Sequence, residues 1–216
     1  NSYESAIFEN FRDEVTREIA LKQMEKRMEE NFTYDPWQND SVSLDPTTDY
    51  PLGYNKIAQE VLIPAFMASY GLFEPENVPL QSVPDKNILT SIKDFIPLPN
   101  WRVTYDGLSK IELVKEYFKS VRIGHSYRST YNIGSFRKNM MLENQEFYPG
   151  GNLIPEYEIN TVTISEQFSP LINLDLTWQN NLTTRFEYKK DRALSLSLGN
   201  NQINEIHTKE FILGTG

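Results

Sequence analysis

The sequence predicts a mainly β fold: an antiparallel meander that forms part of a very large transmembrane β-barrel, preceded by a helical and irregular segment outside the membrane. Three observations support this prediction. Residues Val121–Ile133 alternate between two kinds of side chain, mostly apolar and mostly polar, and shorter runs near the end of the chain alternate in the same way between turn residues. Proline is concentrated before residue 100 and glycine after it, so the two parts of the chain differ in composition.

The longest alternating stretch is Val121–Ile133. Successive side chains of a strand point to opposite faces, so this stretch predicts one strand with an apolar side and a polar side. At ~3.3 Å per residue the strand would reach roughly 43 Å. Strands of soluble domains have about 5–6 residues, whereas a tilted strand that crosses a bilayer needs about 9–11. The length therefore favours a transmembrane barrel strand.

The first part of the chain predicts helices and loops. Residues 4–30 carry apolar side chains at helical spacing, together with acid-before-base pairs four residues apart, and these patterns predict a helix. Its apolar stripe covers either its own domain or a partner. Residues 33–55 are polar and rich in turn-forming residues, which indicates a loop or an extended insertion. Gln59–Tyr70 is apolar enough for a buried helix that Pro64 kinks or restarts.

The net charge changes along the chain at the same place as the proline and glycine content. The net charge of −9 lies entirely in residues 1–100, and the remainder is neutral overall. We place a boundary at Pro97–Pro99, because proline has no donor for a sheet ladder. Residues 1–99 are then an acidic, Pro-rich insertion or cap outside the membrane, and residues 100–216 are barrel strands with connecting loops. Without a basic patch, we expect no nucleic-acid binding.

After residue 100 the pattern predicts strands joined by turns. Trp101–Tyr105 alternates, residues 111–119 indicate a short helical link, and residues 137–156 indicate a loop. Further alternating runs cover residues 172–178, 182–188, 194–198 and 208–216. Polar tripeptides between these runs predict turns, and asparagine and glycine suit such reversals because they accept positive φ at little cost. The predicted turns are Gln179–Asn181, Lys189–Asp191 and Gly199–Asn201.

The period of two also assigns side chains to faces. The predicted lipid-facing residues are apolar or aromatic: Val121, Ile123, Tyr127, Tyr131, Ile133, Leu174, Leu176 and Trp178. The predicted lumen-facing residues are polar: Arg122, Arg128 and Asn132. The two faces cannot be exchanged, because an arginine that faces lipid near the bilayer midplane costs about 2–4 kcal/mol. An open sheet edge promotes aggregation, so we expect the sheet to continue in other strands of the same barrel.

No arrangement typical of catalysis or metal binding occurs in the sequence. The chain has no cysteine, and its two histidines, His125 and His207, have no second histidine or glutamate at the spacing of a metal site. We therefore expect no catalytic residue, no cofactor and no metal, and the chain is not expected to be an enzyme. Two other classes remain as alternatives: a soluble extracellular β-sandwich module for adhesion or binding, and a hydrolase that uses a pair of carboxylates.

Four long segments, in order along the chain, carry a resemblance to a known family. They are IAQEVLIPAF at Ile57–Phe66, PLPNWRVTYDGLSK at Pro97–Lys110, HSYRSTYNIGSF at His125–Phe136 and FEYKKDRALSLSLGNNQINEIHTKEFILGTG at Phe186–Gly216. Together they resemble the SprA (Sov) family, the outer-membrane translocons of the type IX secretion system of Bacteroidetes. The resemblance covers most of residues 55–216. Members of the family are far longer, so the chain resembles a piece of their C-terminal region.

The resemblance implies a giant single-chain β-barrel whose wide lumen passes folded cargo proteins across the outer membrane. In gliding bacteria, such translocons also export the adhesins used for movement. The implied partners are a PorV-type outer-membrane barrel protein, plug and periplasmic proteins, the secreted cargo and the lipid of the outer membrane. The family is not similar to any enzyme family, and no catalytic residue carries over.

Overall fold

The computed structural model describes residue 11 and residues 13–29, 44–70, 100–143 and 151–216, and these residues form a mainly β protein. The α-helices are α1 (Asp13–Glu29), α2 (Gln59–Ser69) and α3 (Glu112–Lys115), and two short 3₁₀ helices cover Gly107–Lys110 and Met140–Glu143. The strands are β1 (Trp101–Tyr105), β2 (Phe118–Ile133), β3 (Phe136–Lys138), β4 (Tyr157–Ile159), β5 (Thr161–Trp178), β6 (Thr183–Ser197) and β7 (Gln202–Thr215).

Five strands form one antiparallel sheet in the order β1-β2-β5-β6-β7. The register between β1 and β2 places Trp101 opposite Tyr127. The short strands β3 and β4 pair with each other, with Phe136 opposite Ile159. They extend the hairpin of β2 and β5, since the Gly134 amide donates to the Thr161 carbonyl at 2.8 Å. Apart from the short pair β3 and β4, strands that follow each other along the chain are neighbours, which confirms the predicted antiparallel meander.

The main strands are long. β2 has 16 residues, β5 has 18, β6 has 15 and β7 has 14. The long strand predicted from Val121–Ile133 is confirmed and begins three residues earlier, at Phe118. Two predicted turns are confirmed as well: Asn181 and Asn201 have φ values of 68° and 53°, the left-handed conformation that asparagine tolerates better than most residues.

The turn predicted at Lys189–Asp191 is wrong, because β6 runs through these residues without interruption. The Lys189 ammonium lies 3.8 Å from Glu187 on its own strand and 3.3 Å from Glu210 on β7. Charged side chains can occupy a strand when neighbouring strands supply opposite charges on the same face. The sequence shows the charges but not the cross-strand partners, and this is why the prediction failed.

Strand β5 begins at Thr161, well before the predicted run at residues 172–178. The early half was missed because it contains Pro170, which has no donor for a ladder. Side chains of β2 bind the backbone around this proline. Ser126 donates its hydroxyl to the Ser169 carbonyl, and His125 Nδ1 donates to the Leu171 carbonyl at 2.7 Å. These bonds satisfy carbonyl groups of the irregular part of the strand.

The chain divides into two compact units. The first comprises residues 1–97, 133–162 and 196–202, and the second comprises residues 98–132, 163–195 and 203–216. The boundary predicted at Pro97–Pro99 lies outside the described residues. The second unit contains most of the five-stranded sheet. Each unit has buried side chains of its own.

The first unit is built around α1 and α2. Both helices were predicted, although residues 4–10 and 12 of the first predicted helix lie outside the described part of the chain. The Thr16 hydroxyl lies 2.6 Å from the Tyr50 hydroxyl, and this bond ties α1 to the segment that precedes α2. The buried cluster of this unit consists of Ile19, Ala20, Met24, Tyr50, Tyr54, Ala58, Val61, Ala65 and Leu153.

Helix α2 continues through Pro64. Proline has no N–H, so the Glu60 carbonyl four residues earlier lacks its usual helical donor. The fully buried Gln23 of α1 supplies a replacement, since its side-chain amide donates to this carbonyl at 2.9 Å. A buried polar side chain thus compensates for a proline in the neighbouring helix.

We expect the effects of Gln23→Leu and Pro64→Ala to be coupled. Gln23→Leu removes the amide that donates to the Glu60 carbonyl, whereas Pro64→Ala adds a backbone donor for it. The Gln23→Leu substitution should therefore cost about 1 kcal/mol less in the Pro64→Ala background. A double-mutant cycle measured by urea unfolding of the helical circular dichroism signal tests this.

The control for this cycle is Glu25→Leu, which lies on the exposed side of α1. It should show no coupling to Pro64→Ala. Equal costs of Gln23→Leu in both backgrounds would contradict the compensation.

Candidate functional site

The sheet of the second unit has two chemically different faces. On one face, the Trp101 and Tyr127 rings lie 4.5 Å apart across β1 and β2, and Tyr127 contacts Phe168 of β5 at 4.7 Å. On the other face, Gly124 of β2 approaches the Asn173 side chain of β5. We call the first the aromatic face and the second the ionic face. Period-two alternation separates them along most of each strand, although Phe118 at the start of β2 reaches the aromatic face out of phase with Tyr127.

The aromatic face continues across β5, β6 and β7. Phe118 and Trp178 lie 4.4 Å apart, and Trp178 Nε1 donates to the Thr184 hydroxyl of β6 at 2.9 Å. Tyr188 of β6 stacks on Phe211 of β7 with a ring separation of 4.4 Å. The larger side chains of this face are Trp101, Val103, Tyr105, Phe118, Ile123, Tyr127, Phe168, Ile172, Leu174, Leu176, Trp178, Phe186, Tyr188, Phe211 and Leu213.

Many of these side chains are exposed. Val103 is 54% exposed, Ile172 50%, Phe211 68% and Leu213 73%. Soluble monomers seldom expose a large contiguous apolar surface, and such a surface marks contact with lipid or with another protein. The aromatic face is therefore a candidate surface for contact with lipid or with another protein.

The ionic face carries a row of charges with alternating signs across three strands. Asp175 of β5 lies 3.6 Å from Arg185 of β6, and Arg185 lies 3.3 Å from Glu187. Lys189 then links Glu187 to Glu210 of β7. The row joins three carboxylates through two cations, and most of these groups are partly exposed. Such a face is compatible with water and incompatible with hydrocarbon.

A group of paired charges lies on the aromatic face, and we call it the arginine cluster. Arg192 of β6 contacts Glu205 of β7 at 2.7 Å and Glu166 of β5 at 3.7 Å. Glu166 accepts a hydrogen bond from the Tyr127 hydroxyl at 2.7 Å, and His207 Nε2 lies 2.9 Å from Glu205. The Glu205 side chain is only 8% exposed, so its charge depends on these partners.

Sequence reasoning missed the arginine cluster. The available signal was a charged residue at an apolar position of an alternating run, as at Arg192 two residues before Leu194. The signal could not reveal that Glu166 and Glu205 meet Arg192, since these residues come from three different strands.

The structure distributes the predicted lipid-facing residues unevenly. Ile123, Tyr127, Leu174, Leu176 and Trp178 lie on the aromatic face. Val121 is only 5% exposed, and its backbone N–H and carbonyl both bind the Ser109 hydroxyl. The Tyr131 hydroxyl is buried without a hydrogen-bond partner among the described residues, and Ile133 belongs to the first unit.

The three predicted lumen-facing residues, Arg122, Arg128 and Asn132, are all exposed. They alternate with the residues of the aromatic face along β2 and so share the side of Gly124. Contact of either face with lipid or with a lumen stays a prediction.

Within the described ranges, no three His, Asp or Glu side chains are grouped as metal ligands. None of the described helices has the length and apolarity needed to cross a membrane. Comparison with the models of known protein families gave no match, and no curated protein matches the sequence.

We expect Arg192→Met to destabilise the sheet by about 2 kcal/mol, because it leaves Glu205 and Glu166 without their cation. Arg185→Met is the matched control. Its guanidinium on the ionic face is 57% exposed, and the loss should stay within about 1 kcal/mol. Urea unfolding of the β-sheet circular dichroism signal in detergent measures both. Equal losses for the two variants would contradict a special role of the arginine cluster.

Proposed function

We propose that this chain forms a section of the wall of a large outer-membrane β-barrel, with the aromatic face toward lipid and the ionic face toward a water-filled lumen. One observation carries this proposal: long antiparallel strands present apolar side chains on one face and cross-strand ion pairs on the other. In a membrane every backbone N–H and C=O must be paired internally, which a closed sheet achieves. Apolar-out and polar-in alternation is the pattern of such walls.

The dimensions of β5 support the proposal. Its apolar positions on the aromatic face run from Phe168 to Trp178. Ten steps at ~3.3 Å, tilted by about 40° from the membrane normal, cover roughly 25 Å of height. Outer-membrane barrels carry an outward apolar band of about 25 Å. Both ends of this segment are aromatic, as expected where a barrel wall meets the two membrane surfaces.

We propose further that the complete barrel is the protein-conducting translocon of the type IX secretion system, which exports folded cargo proteins and gliding-motility adhesins. The resemblance to the SprA (Sov) family supports this step. Two of its segments, His125–Phe136 and Phe186–Gly216, fall on the strands and the hairpin that form both faces. In this proposal the protein works mechanically, as a wall around a hydrated passage, and not as an enzyme.

The proposed partners follow from the two faces and the two outer strands. β1 and β7 are the outer strands of the sheet, and in lipid their free edges must pair with further strands of the same barrel. A PorV-type barrel protein, plug and periplasmic proteins and the passing cargo are the remaining proposed partners. The proposed location is the outer membrane, with segments exposed to the periplasm or the cell surface.

Single cysteines test the orientation of the sheet, and the chain is well suited to this because it has no cysteine of its own. Leu176→Cys and Leu213→Cys probe the aromatic face, and their sequence neighbours Thr177→Cys and Ile212→Cys probe the ionic face. After reconstitution into vesicles, a fluorophore at 176 or 213 should be quenched by a lipid-borne quencher. At 177 or 212 it should be quenched by aqueous iodide instead.

Two results would overturn the membrane proposal. One is quenching by iodide alone at all four positions. The other is recovery of the chain without detergent as a folded monomer, in which residues 176 and 213 are protected by protein. That second result would favour a soluble extracellular β-sandwich module for adhesion or binding.

A further inference from the structure

Two lysines lie directly opposite each other on the aromatic face, and we call this pair, Lys190 and Lys209, the lysine rung. The register of β6 and β7 establishes it. Thr183 and Gly216 exchange both backbone hydrogen bonds, at 2.7 and 3.1 Å. The same register brings Lys189 to within 3.3 Å of Glu210. The next pair of directly opposed residues after Lys189 and Glu210 is therefore Lys190 and Lys209.

The neighbouring rungs show which face the two lysines occupy. Tyr188 stacks on Phe211 with rings 4.4 Å apart and 13° from parallel, and these residues lie two positions from Lys190 and Lys209. Since residues two apart on a strand share a face, both lysines are on the aromatic face. Both are exposed to solvent.

Like charges directly opposite each other destabilise a sheet, since their Cβ atoms are only about 5 Å apart. Neither carboxylate of the adjacent arginine cluster forms an ion pair with these lysines. Glu205 is in contact with Arg192 and His207, and Glu166 with Arg192 and Tyr127. Among the described residues, neither Lys190 nor Lys209 forms an ion pair. The lysine rung therefore presents an uncompensated pair of positive charges.

The position of the lysine rung indicates what compensates it. It lies where the exposed apolar part of the aromatic face ends and the arginine cluster begins; beyond the cluster, Leu194 and Leu196 on the same face are fully buried. At a membrane surface, aromatic rings lie at the level of the lipid headgroups, and lysines extend their ammonium groups toward that level. An anion held at this place has an apolar surface directly beside it, along which acyl chains can lie.

We propose that the lysine rung binds the phosphate of an anionic lipid headgroup, which the two ammonium groups share. This inference rests on the proposed function, since it requires the aromatic face to contact lipid. Ammonium groups are compact charges that bind phosphate through charge-assisted hydrogen bonds. One phosphate between Lys190 and Lys209 attracts both ammonium groups and so offsets the repulsion between them. The stacked rings of Tyr188 and Phe211 then lie against the first segment of the acyl chains.

Co-flotation of the 216-residue chain with vesicles tests this site. Vesicles of phosphatidylcholine alone are compared with vesicles that also contain phosphatidylglycerol, at equal ionic strength. The wild-type chain should prefer the anionic vesicles. Lys190→Gln and Lys209→Gln should each reduce this preference roughly fivefold, and the double variant should abolish most of it.

Lys189→Gln is the matched control. It removes the same charge one residue away, but on the ionic face, and should leave the preference for anionic vesicles unchanged. Lys190→Arg with Lys209→Arg keeps both charges and should retain the preference, which separates loss of the site from loss of folding. An excess of inorganic phosphate at constant ionic strength should not displace the chain from the vesicles.

The outcomes distinguish this inference from the proposal on which it rests. If the wild-type chain binds both kinds of vesicle equally, or if Lys189→Gln lowers the preference as much as Lys190→Gln, the lipid site is overturned and the membrane wall is not. If inorganic phosphate displaces the chain, the site takes soluble anions and the lipid assignment is wrong. If the chain floats with neither vesicle, both proposals are overturned.

Discussion

The register of the hairpins is the constraint on which the two-sided sheet depends. Side chains alternate with a period of two, so a slip of one residue would move every aromatic side chain of a strand to the ionic face. The sheet is protected against such slips on both sides at once. Tyr188 stacks on Phe211 on one face while Lys189 pairs with Glu210 on the other. A slipped strand would lose both contacts.

The charges of the arginine cluster differ from those of the ionic face in how far they are covered and in how much they need a partner. The row from Asp175 to Glu210 alternates in charge and is mostly partly exposed, as expected for a surface in contact with water. Arg192 and Glu205 are largely covered, and their pairing is required because an isolated charge there would be poorly solvated. Together with the lysine rung, these charges lie between the exposed apolar part of the aromatic face and the fully buried Leu194 and Leu196.

The first unit shows how local rules are overridden by packing. Proline in the middle of α2 should weaken the helix, yet α2 continues because Gln23 of another helix supplies the missing donor. The same logic applies around Pro170, where side chains of β2 bind the carbonyls of an irregular strand. In both places a polar side chain from a neighbouring element replaces a backbone hydrogen bond.

The sequence by itself determined the long strand β2, the two asparagine turns and the apolar side of the strands, because periodicity and turn chemistry are local properties. It could not determine that β6 runs through Lys189–Asp191, nor that Arg192 meets Glu166 and Glu205. Those outcomes depend on which strands become neighbours and in which register. Only the tertiary structure decides this, since a charge in a strand is tolerated or rejected according to the partner that lies opposite it.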